Sequence, residues 1–211
     1  MLRKVEPRDS YGRHGATWVD RVGVWLSQRA IRKYLPAPQG LEVLDLGCGY
    51  RATLLQSFNG VQKRLLGVDF QIAPELKADP RLTFVEAAVE HTVTTFASAT
   101  FDVVLLISVL EHLWEPGEVL KQCHRILRPR GVLLVNVPTW RGKFFLEFSA
   151  FTLGTSPKLE MDDHKMYYDK RDLWPLLVAA GFKPSQIVLH YHKLGLNLFA
   201  RVQKEKEAPY L

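Results

Sequence analysis

Short apolar runs alternate with amphipathic stretches along most of the chain, from residue 41 to residue 202. The apolar runs have the length and composition of strands and lie at residues 41–46, 64–68, 82–86, 101–107 and 132–137, with two further β-like runs at 186–190 and 197–202. Alternation of buried strands with helices is typical of a sheet that is covered on both faces. The pattern therefore predicts an α/β fold with an open, doubly wound sheet.

Helical periodicity is clearest between these strands. Residues 51–58 form one predicted helix, and residues 118–127 form another, which follows Pro116 and stops before Pro129. An amphipathic helix also precedes the first strand, beginning near Trp18 and ending before the rigid Pro-Ala-Pro link at 36–38.

A late helix, which ends at Gly181, has two candidate first residues. Asp169 with Asp172 resembles a capping box, whereas Asp172 as the N-cap places Pro175 in the first turn, where its missing N–H is harmless. The sequence leaves this boundary open.

The chain has 211 residues, of which 47% are hydrophobic, and this size suits one domain. We predict a single domain over residues 1–211, with an N-terminal helical cap at 15–36 and an inserted lid at 139–163. The segment 143–153 within the lid is apolar nearly all round a helix, so we do not expect it to face water. The alternatives to a lid are a homodimer contact and a peripheral membrane contact.

Composition limits the cellular location and the kinds of site that we expect for this chain. No apolar run approaches the roughly 18 residues of a membrane-spanning helix. The first residues lack the apolar core of a secretion signal, so we expect a cytoplasmic protein. Cys48 and Cys123 are too few for a disulfide framework and lack metal-ligand spacing, which predicts reduced thiols and no metal site.

The formal net charge of +6 would suit an anionic partner. However, the basic residues are scattered, and their tightest group, residues 121–130, has the spacing of a solvated helix face. Nucleic acid is therefore not an expected partner.

A glycine-rich loop follows the first predicted strand. Gly47, Gly49 and Ala52 satisfy the spacing of a dinucleotide fingerprint, and Asp69 lies at the distance expected for a ribose-binding carboxylate. An NAD-dependent dehydrogenase is therefore one candidate. Asp45 argues against it, because a carboxylate beside a bound pyrophosphate would be repelled. The same carboxylate suits S-adenosylmethionine, which carries an ammonium and a sulfonium but no phosphate.

Four motifs occur in order between residues 41 and 182: VLDLGCG at 43–49, LGVD at 66–69, FDVV at 101–104 with VLEHL at 109–113, and LRPRGVLL at 127–134. Together they resemble the class I S-adenosylmethionine-dependent methyltransferases, in particular the small-molecule branch related to the ubiquinone-biosynthesis methyltransferases. The resemblance implies a Rossmann-like, mostly parallel, seven-stranded sheet with an antiparallel strand at 197–202, and methyl transfer from S-adenosylmethionine to a small molecule.

The resemblance also implies where the cofactor lies. It places Gly47, Cys48, Gly49 and Asp69 around the cofactor, with Asp45 beside its cationic end. Phe70 lies against the cofactor, and Ile107 lines the methionine side.

Two positions depart from the family pattern. Arg51 stands where a third glycine is usual, and Ala88 replaces an acidic residue that bonds the adenine amino group. The backbone N–H of Val89 can still bond the adenine ring, so the loss amounts to about 0.5–1.5 kcal/mol of binding.

Methyl transfer to an oxygen needs a base and correct alignment but no metal. His112, just beyond the fourth strand, is the first candidate base, although a Glu-His pair there also serves packing. The second candidate base is His164. It lies with Tyr167 in a segment that resembles one that closes over the acceptor in related enzymes, although a histidine there can equally orient a loop.

The acceptor itself stays open, because its pocket is built from the least patterned segments. A lipid, quinone, polyketide or envelope sugar precursor, methylated on O, N or C, would each fit. A cofactor-binding scaffold without turnover is the remaining alternative to an enzyme.

Overall fold

The computed structural model describes residues 18–34, 40–58, 64–148 and 164–206. Its strands, in chain order, are β1 (Glu42–Leu46), β2 (Arg64–Asp69), β3 (Leu82–Glu86), β4 (Phe101–Ile107), β5 (Leu127–Pro138), β6 (Ile187–His192) and β7 (Asn197–Gln203). They form one seven-stranded sheet in the order β3-β2-β1-β4-β5-β7-β6.

Helices connect most of these strands. They are α1 (Trp18–Tyr34), α2 (Thr53–Gln56), α3 (Val89–Thr95), α4 (Pro116–Ile126), α5 (Trp140–Phe148) and α6 (Lys170–Ala179). Single 3₁₀ turns occupy Pro74–Ala78, Leu110–His112, Pro184–Gln186 and Lys193–Gly195. None of the helices in the described ranges is both long and apolar enough to cross a membrane.

The ladder confirms the predicted architecture. β3, β2, β1, β4 and β5 pair in parallel, whereas β7 runs antiparallel to both β5 and β6. Because the strand order reverses between β1 and β4, the loops that follow these two strands lead to opposite faces of the sheet. This is the position where open α/β sheets bind ligands.

Adjacent side chains along the central strands enter two separate cores. Leu106 of β4 packs with α3, α4 and α6 on one face of the sheet. Its neighbour Leu105 packs on the other face with Leu55 of α2 and Ile31 of α1. This two-sided burial explains the continuous apolar runs in the sequence. It also shows that α1 is anchored on the sheet, with Ile31 only 1% exposed.

The helix predicted at 51–58 is much shorter in the structure, so this prediction was wrong in extent. Ala52 has a left-handed φ of 41°, which delays the start of α2 to Thr53. At the other end, the N–H groups of Ser57 and Phe58 turn to carbonyls three residues back, which ends α2. Arg51, at the position of the usual third glycine, is exposed.

The structure places the N-cap of α6, which the sequence left undecided, at Asp169. The Asp169 N–H donates to the Asp172 carboxylate at 2.7 Å, completing a capping box. Pro175 therefore lies inside the helix rather than in its first turn. β5 also begins earlier than predicted, because Leu127 pairs with Phe101 ahead of an irregularity in the ladder.

Candidate active site

The loop after β1 turns sharply at the switch point. Gly47 and Gly49 have φ values of 77° and 76°, a region that favours glycine. The N–H groups of Gly47 and Cys48 both donate to the Val68 carbonyl, at 2.7 and 3.1 Å. These bonds fix the loop against the end of β2.

Gly47 also lets the end of β4 approach this loop. The side chain of Val109 occupies the space that a Cβ on Gly47 would need. Any larger residue at this position would push apart the loops after β1 and β4. The loops after β1 and β4 can therefore lie against each other only because Gly47 has no side chain.

Asp69, the last residue of β2, organises the same loop. One carboxylate oxygen accepts from the Gly49 N–H and the other from the Phe70 N–H, each at 2.8 Å. A carboxylate oxygen can accept more than one hydrogen bond, which makes Asp69 a candidate acceptor for ligand hydroxyls. Its hydrogen bonds from the Gly49 and Phe70 N–H groups stabilise the loop.

Asp45, within β1, is only 2% exposed. Its Oδ1 has no hydrogen-bond partner among the described residues. Burial, and secondly the nearby charge of Asp69, raises the pKa of Asp45 to about 7. A buried acceptor without a donor is costly, and a cationic ligand group is the partner that would satisfy it. The residues present thus fit the ammonium group of S-adenosylmethionine.

The predicted adenine side lies at the start of α3. Ala88 is the N-cap in extended conformation, with no side-chain cap bond, and Val89 is the first helical residue. The N–H of a first helical residue has no partner within its own helix. The Val89 side chain is buried in the core, so the backbone N–H is what this residue can offer a ligand. Phe70 is half-buried after β2.

Cys48 and Ile107 complete the predicted cofactor residues. The Cys48 thiol is buried, and burial together with Asp45 and Asp69 raises its pKa far above the ordinary range. The thiol is therefore unreactive and acts as packing, in the space left open by Gly67. Ile107, the last residue of β4, is half-buried and packs on the second core cluster.

The two candidate bases come together despite their separation in sequence. The rings of His112 and His164 pack edge to face with centroids 4.7 Å apart. His164 Nδ1 lies 3.1 Å from the Tyr167 hydroxyl. Lys165 ties the two segments together, because its N–H donates to the Glu111 carbonyl and its ammonium to the His112 carbonyl.

Glu111 lies beneath this pair and is 1% exposed. Burial raises its pKa to about 8, and its Oε2 has no hydrogen-bond partner among the described residues. One donor atom from each of Glu111, His112 and His164 falls within a 4.8 Å cluster, a spacing that could hold a metal ion.

Sequence reasoning missed Lys193. It lies in the turn between β6 and β7, where it is half-buried and interacts electrostatically with Glu111. The topology offered a signal for it. Once the strand at 197–202 is predicted to be antiparallel, the turn before it must lie at the same sheet edge as the cofactor loops.

Comparison with known proteins agrees with this geometry. A family model described as a methyltransferase domain matches residues 25–187. A probable S-adenosylmethionine-dependent methyltransferase of Mycolicibacterium smegmatis is 30% identical over 162 residues, covering 74% of this chain and 58% of that protein. A ubiquinone biosynthesis O-methyltransferase of Bradyrhizobium diazoefficiens is 32% identical over 114 residues, covering 50% of this chain and 43% of that protein.

Among solved structures, a SAM dependent methyltransferase from Archaeoglobus fulgidus superposes with a TM-score of 0.66 at 15% identity. The match covers 90% of this chain and 96% of that one. At this identity the match shows the fold alone. The chain spans about half the length of the two curated relatives that it matches.

Proposed function

This chain belongs to the class I S-adenosylmethionine-dependent methyltransferases, and on that premise we propose that it methylates a hydroxyl oxygen of a small molecule. The observation that carries the proposal is the buried, unpartnered Oδ1 of Asp45 beside the turn at Gly47 and Gly49. When bound, S-adenosylmethionine supplies an electrophilic methyl group on its sulfonium. The family membership removes the reason to prefer an NAD-dependent dehydrogenase.

In this proposal the loops after β1, β2 and β3 hold the cofactor. Asp45 receives the ammonium group, and the Asp69 carboxylate accepts from the ribose hydroxyls. Phe70 lies against the cofactor, and the Val89 N–H bonds the adenine beside Ala88. Gly47 and Gly49 permit the close approach, while Cys48 and Ile107 line the cavity without reacting.

The acceptor side supports an oxygen nucleophile. Imidazole is the side chain best suited to removing a proton near neutral pH, and His112 and His164 form a pair of imidazoles here. Aromatic rings that could contact an apolar acceptor lie next to His164, which packs against Tyr167, and Tyr167 packs against Trp140 of α5 with ring centroids 5.6 Å apart. A hydroxylated lipid, quinone, polyketide or envelope sugar precursor shares the hydroxyl that this pair would deprotonate.

We expect the N-terminal cap and the inserted lid to close over that acceptor. The described parts agree with such a role, because α1 is anchored on the sheet and α5 begins directly after β5. The lid segment 149–163 and the cap residues before Trp18 lie outside the described residues. We also expect a cytoplasmic protein, since Cys48 and Cys123 are both free thiols. Self-association as a homodimer and a peripheral membrane contact are the further expectations for the lid.

Calorimetric titration with S-adenosylmethionine, S-adenosylhomocysteine and NAD tests the cofactor. We expect the first two to bind and NAD not to bind, because Asp45 repels a pyrophosphate. Transfer of a radioactive methyl group to a set of phenols, sugars and lipid alcohols then tests turnover. Binding of NAD alone would overturn the proposal, and cofactor binding without any methyl transfer to an alcohol or phenol would favour the scaffold.

A further inference from the structure

The turn between β6 and β7 has an unusual conformation. Lys193 and Leu194 both have positive φ, at 51° and 57°, and Gly195 follows at 85°. Two consecutive side-chain-bearing residues in the left-handed region are strained, and such strain persists only where the surroundings impose it. A strained backbone at the carboxyl edge of the sheet points to a functional constraint.

Neighbouring contacts impose this conformation. The Thr139 hydroxyl donates to the Gly195 carbonyl at 2.7 Å, and the Thr139 N–H donates to the Leu196 carbonyl at 3.0 Å. Gly142 of α5 packs directly on the Leu196 carbonyl, where a Cβ would not fit. The turn is therefore fixed to the start of α5.

The result reverses the usual placement of side chains. Leu194 is 96% exposed, whereas the neighbouring Lys193 is half-buried. An ammonium group that is partly removed from water is costly unless a partner charge compensates it. The turn therefore combines an exposed leucine and a strained backbone with a lysine whose ammonium group is partly withdrawn from water.

That ammonium lies between α1 and the segment after β4. Its Nζ would be 3.6 Å from a Cβ built on Gly23 of α1. On its other side it interacts with Glu111, whose attraction partly offsets the effect of burial, which lowers the Lys193 pKa to about 8. No ion pair joins Lys193 to Glu111 among the described residues, and Glu111 Oε2 has no hydrogen-bond partner. The ammonium of Lys193 and the carboxyl of Glu111 therefore lie in the same region without forming an ion pair.

We propose that Lys193 is the acceptor-binding cation of this site, and that the acceptor is a phenol or enol whose oxygen the Lys193 ammonium binds as an anion. This inference rests on the proposed methyl transfer. The acceptor proton passes to the imidazole of His112 or His164. The freed oxygen lone pair forms the bond to the methyl carbon, while the carbon–sulfur electron pair remains on sulfur and leaves S-adenosylhomocysteine.

Acidity explains why such acceptors are favoured. A phenol has a pKa of about 10, and an opposite charge at close range lowers it by roughly 1 to 3 pH units, into reach of an imidazole base. An aliphatic alcohol is about as weak an acid as water and far weaker than a phenol, so one ammonium does not bring its pKa into that range. The cation therefore selects against sugar and simple lipid hydroxyls.

The test uses 4-nitrophenol as the probe and the full chain saturated with S-adenosylhomocysteine. Phenolate absorbance at fixed pH reports both binding and ionisation. We expect the wild-type chain to raise the phenolate fraction of the bound probe and to bind it roughly tenfold more tightly than Lys193→Met does. Lys193→Arg keeps most of the effect, because it keeps the charge. Leu194→Ala, in the same turn, is the matched control and leaves phenolate binding unchanged.

Several results would overturn the inference. They are equal phenolate affinity in Lys193→Met, loss of S-adenosylhomocysteine binding by that variant, and a requirement for added divalent metal. If Lys193→Met does not fold, the wild-type chain alone decides: no preference for 4-nitrophenolate over the neutral 4-nitroanisole overturns it, and a clear preference with retention in Lys193→Arg supports it. Failure of the wild-type chain to bind S-adenosylmethionine would instead refute the proposed function.

Discussion

On the cofactor side, the proposed binding residues follow directly after neighbouring strands; on the acceptor side, they come from segments far apart in sequence. Gly47 and Asp69 each stand at the end of a buried parallel strand. The His112–His164 ring pair and the interaction of Glu111 with Lys193 form only because the segment after β4, the segment before α6 and the β6–β7 turn converge. This difference shows that one fold can combine two kinds of site. The residues proposed to bind the cofactor belong to short contiguous motifs, whereas those proposed to bind the acceptor come from segments far apart in sequence.

The largest expected effect comes from the acceptor side. His112→Ala and His164→Ala are each expected to bind S-adenosylmethionine as the wild-type chain does. The variant that lacks the base should lose about 10²- to 10⁴-fold in turnover. Radiolabel transfer to an accepted phenol measures turnover, and calorimetry measures cofactor affinity. His91→Ala, at an exposed position, is the control. Full turnover in both variants would mean that neither residue is the base.

On the cofactor side, Gly47→Ala is expected to lower the free energy of unfolding by about 2–5 kcal/mol. About 1–2 kcal/mol comes from the positive φ and about 1–3 kcal/mol from the collision with Val109. Gly40→Ala is a matched control, because Gly40 has a φ of 73° but nothing within 4 Å of a built Cβ. Urea denaturation measures both variants. Equal losses would show that the close approach of Val109 contributes nothing.

Asp69→Ala should weaken S-adenosylmethionine binding about 10- to 100-fold, the loss expected when charged hydrogen bonds worth about 1.5–3 kcal/mol disappear. Calorimetry gives the dissociation constant. Asp79→Ala removes a carboxylate of an exposed pair with Arg81 and should leave the affinity unchanged. An unaltered affinity in Asp69→Ala would restrict Asp69 to loop structure.

The smallest effect concerns pH at Asp45. Because a cationic ligand prefers the ionised carboxylate, S-adenosylmethionine affinity should rise roughly tenfold from pH 6 to pH 8, across the pKa of about 7. Asp45→Asn should remove this dependence. Calorimetry at several pH values checks both chains.

The ionisation of Asp45 has the opposite effect on the stability of the unliganded fold. The folded-state pKa is raised above the ordinary 3.8, so the stabilisation that Asp45 contributes is complete below pH 3.8 and is lost as the pH rises through about 7. Urea midpoints of the wild-type chain should show this decline relative to Asp45→Asn. A parallel pH dependence of the two chains would contradict the buried, ionisable state of Asp45.

Prediction from sequence succeeded where short-range physics decides the outcome. β4 lies at the predicted residues 101–107, because burial on both faces gives a continuous apolar run. β3 also lies at the predicted residues 82–86, although it is an edge strand and most of its residues are partly or fully exposed. The helix at 51–58 was overestimated, since the left-handed Ala52 is a backbone state that helical periodicity does not report. The α6 boundary depended on a capping bond between two aspartates whose patterns were equally good.

The candidate site divides in the same way. Asp45 and Asp69 were predicted from sequence because their motifs are contiguous and their charge suits the ligand. Lys193 was not predicted, because nothing in the sequence around it distinguishes a half-buried lysine from a solvated one. Its position depends on Thr139, 54 positions earlier, whose hydroxyl holds the turn through the Gly195 carbonyl.

The position of β7 has a consequence for biosynthesis. β7 follows β6 in sequence but lies between β5 and β6 in the sheet. While the ribosome is still making residues 197–203, the outer edge of β5 has no neighbour, and β6 has no strand through which to join. The nascent chain therefore exposes a long hydrophobic edge until residues 197–203 have been made, and an exposed edge of this kind can pair with other chains.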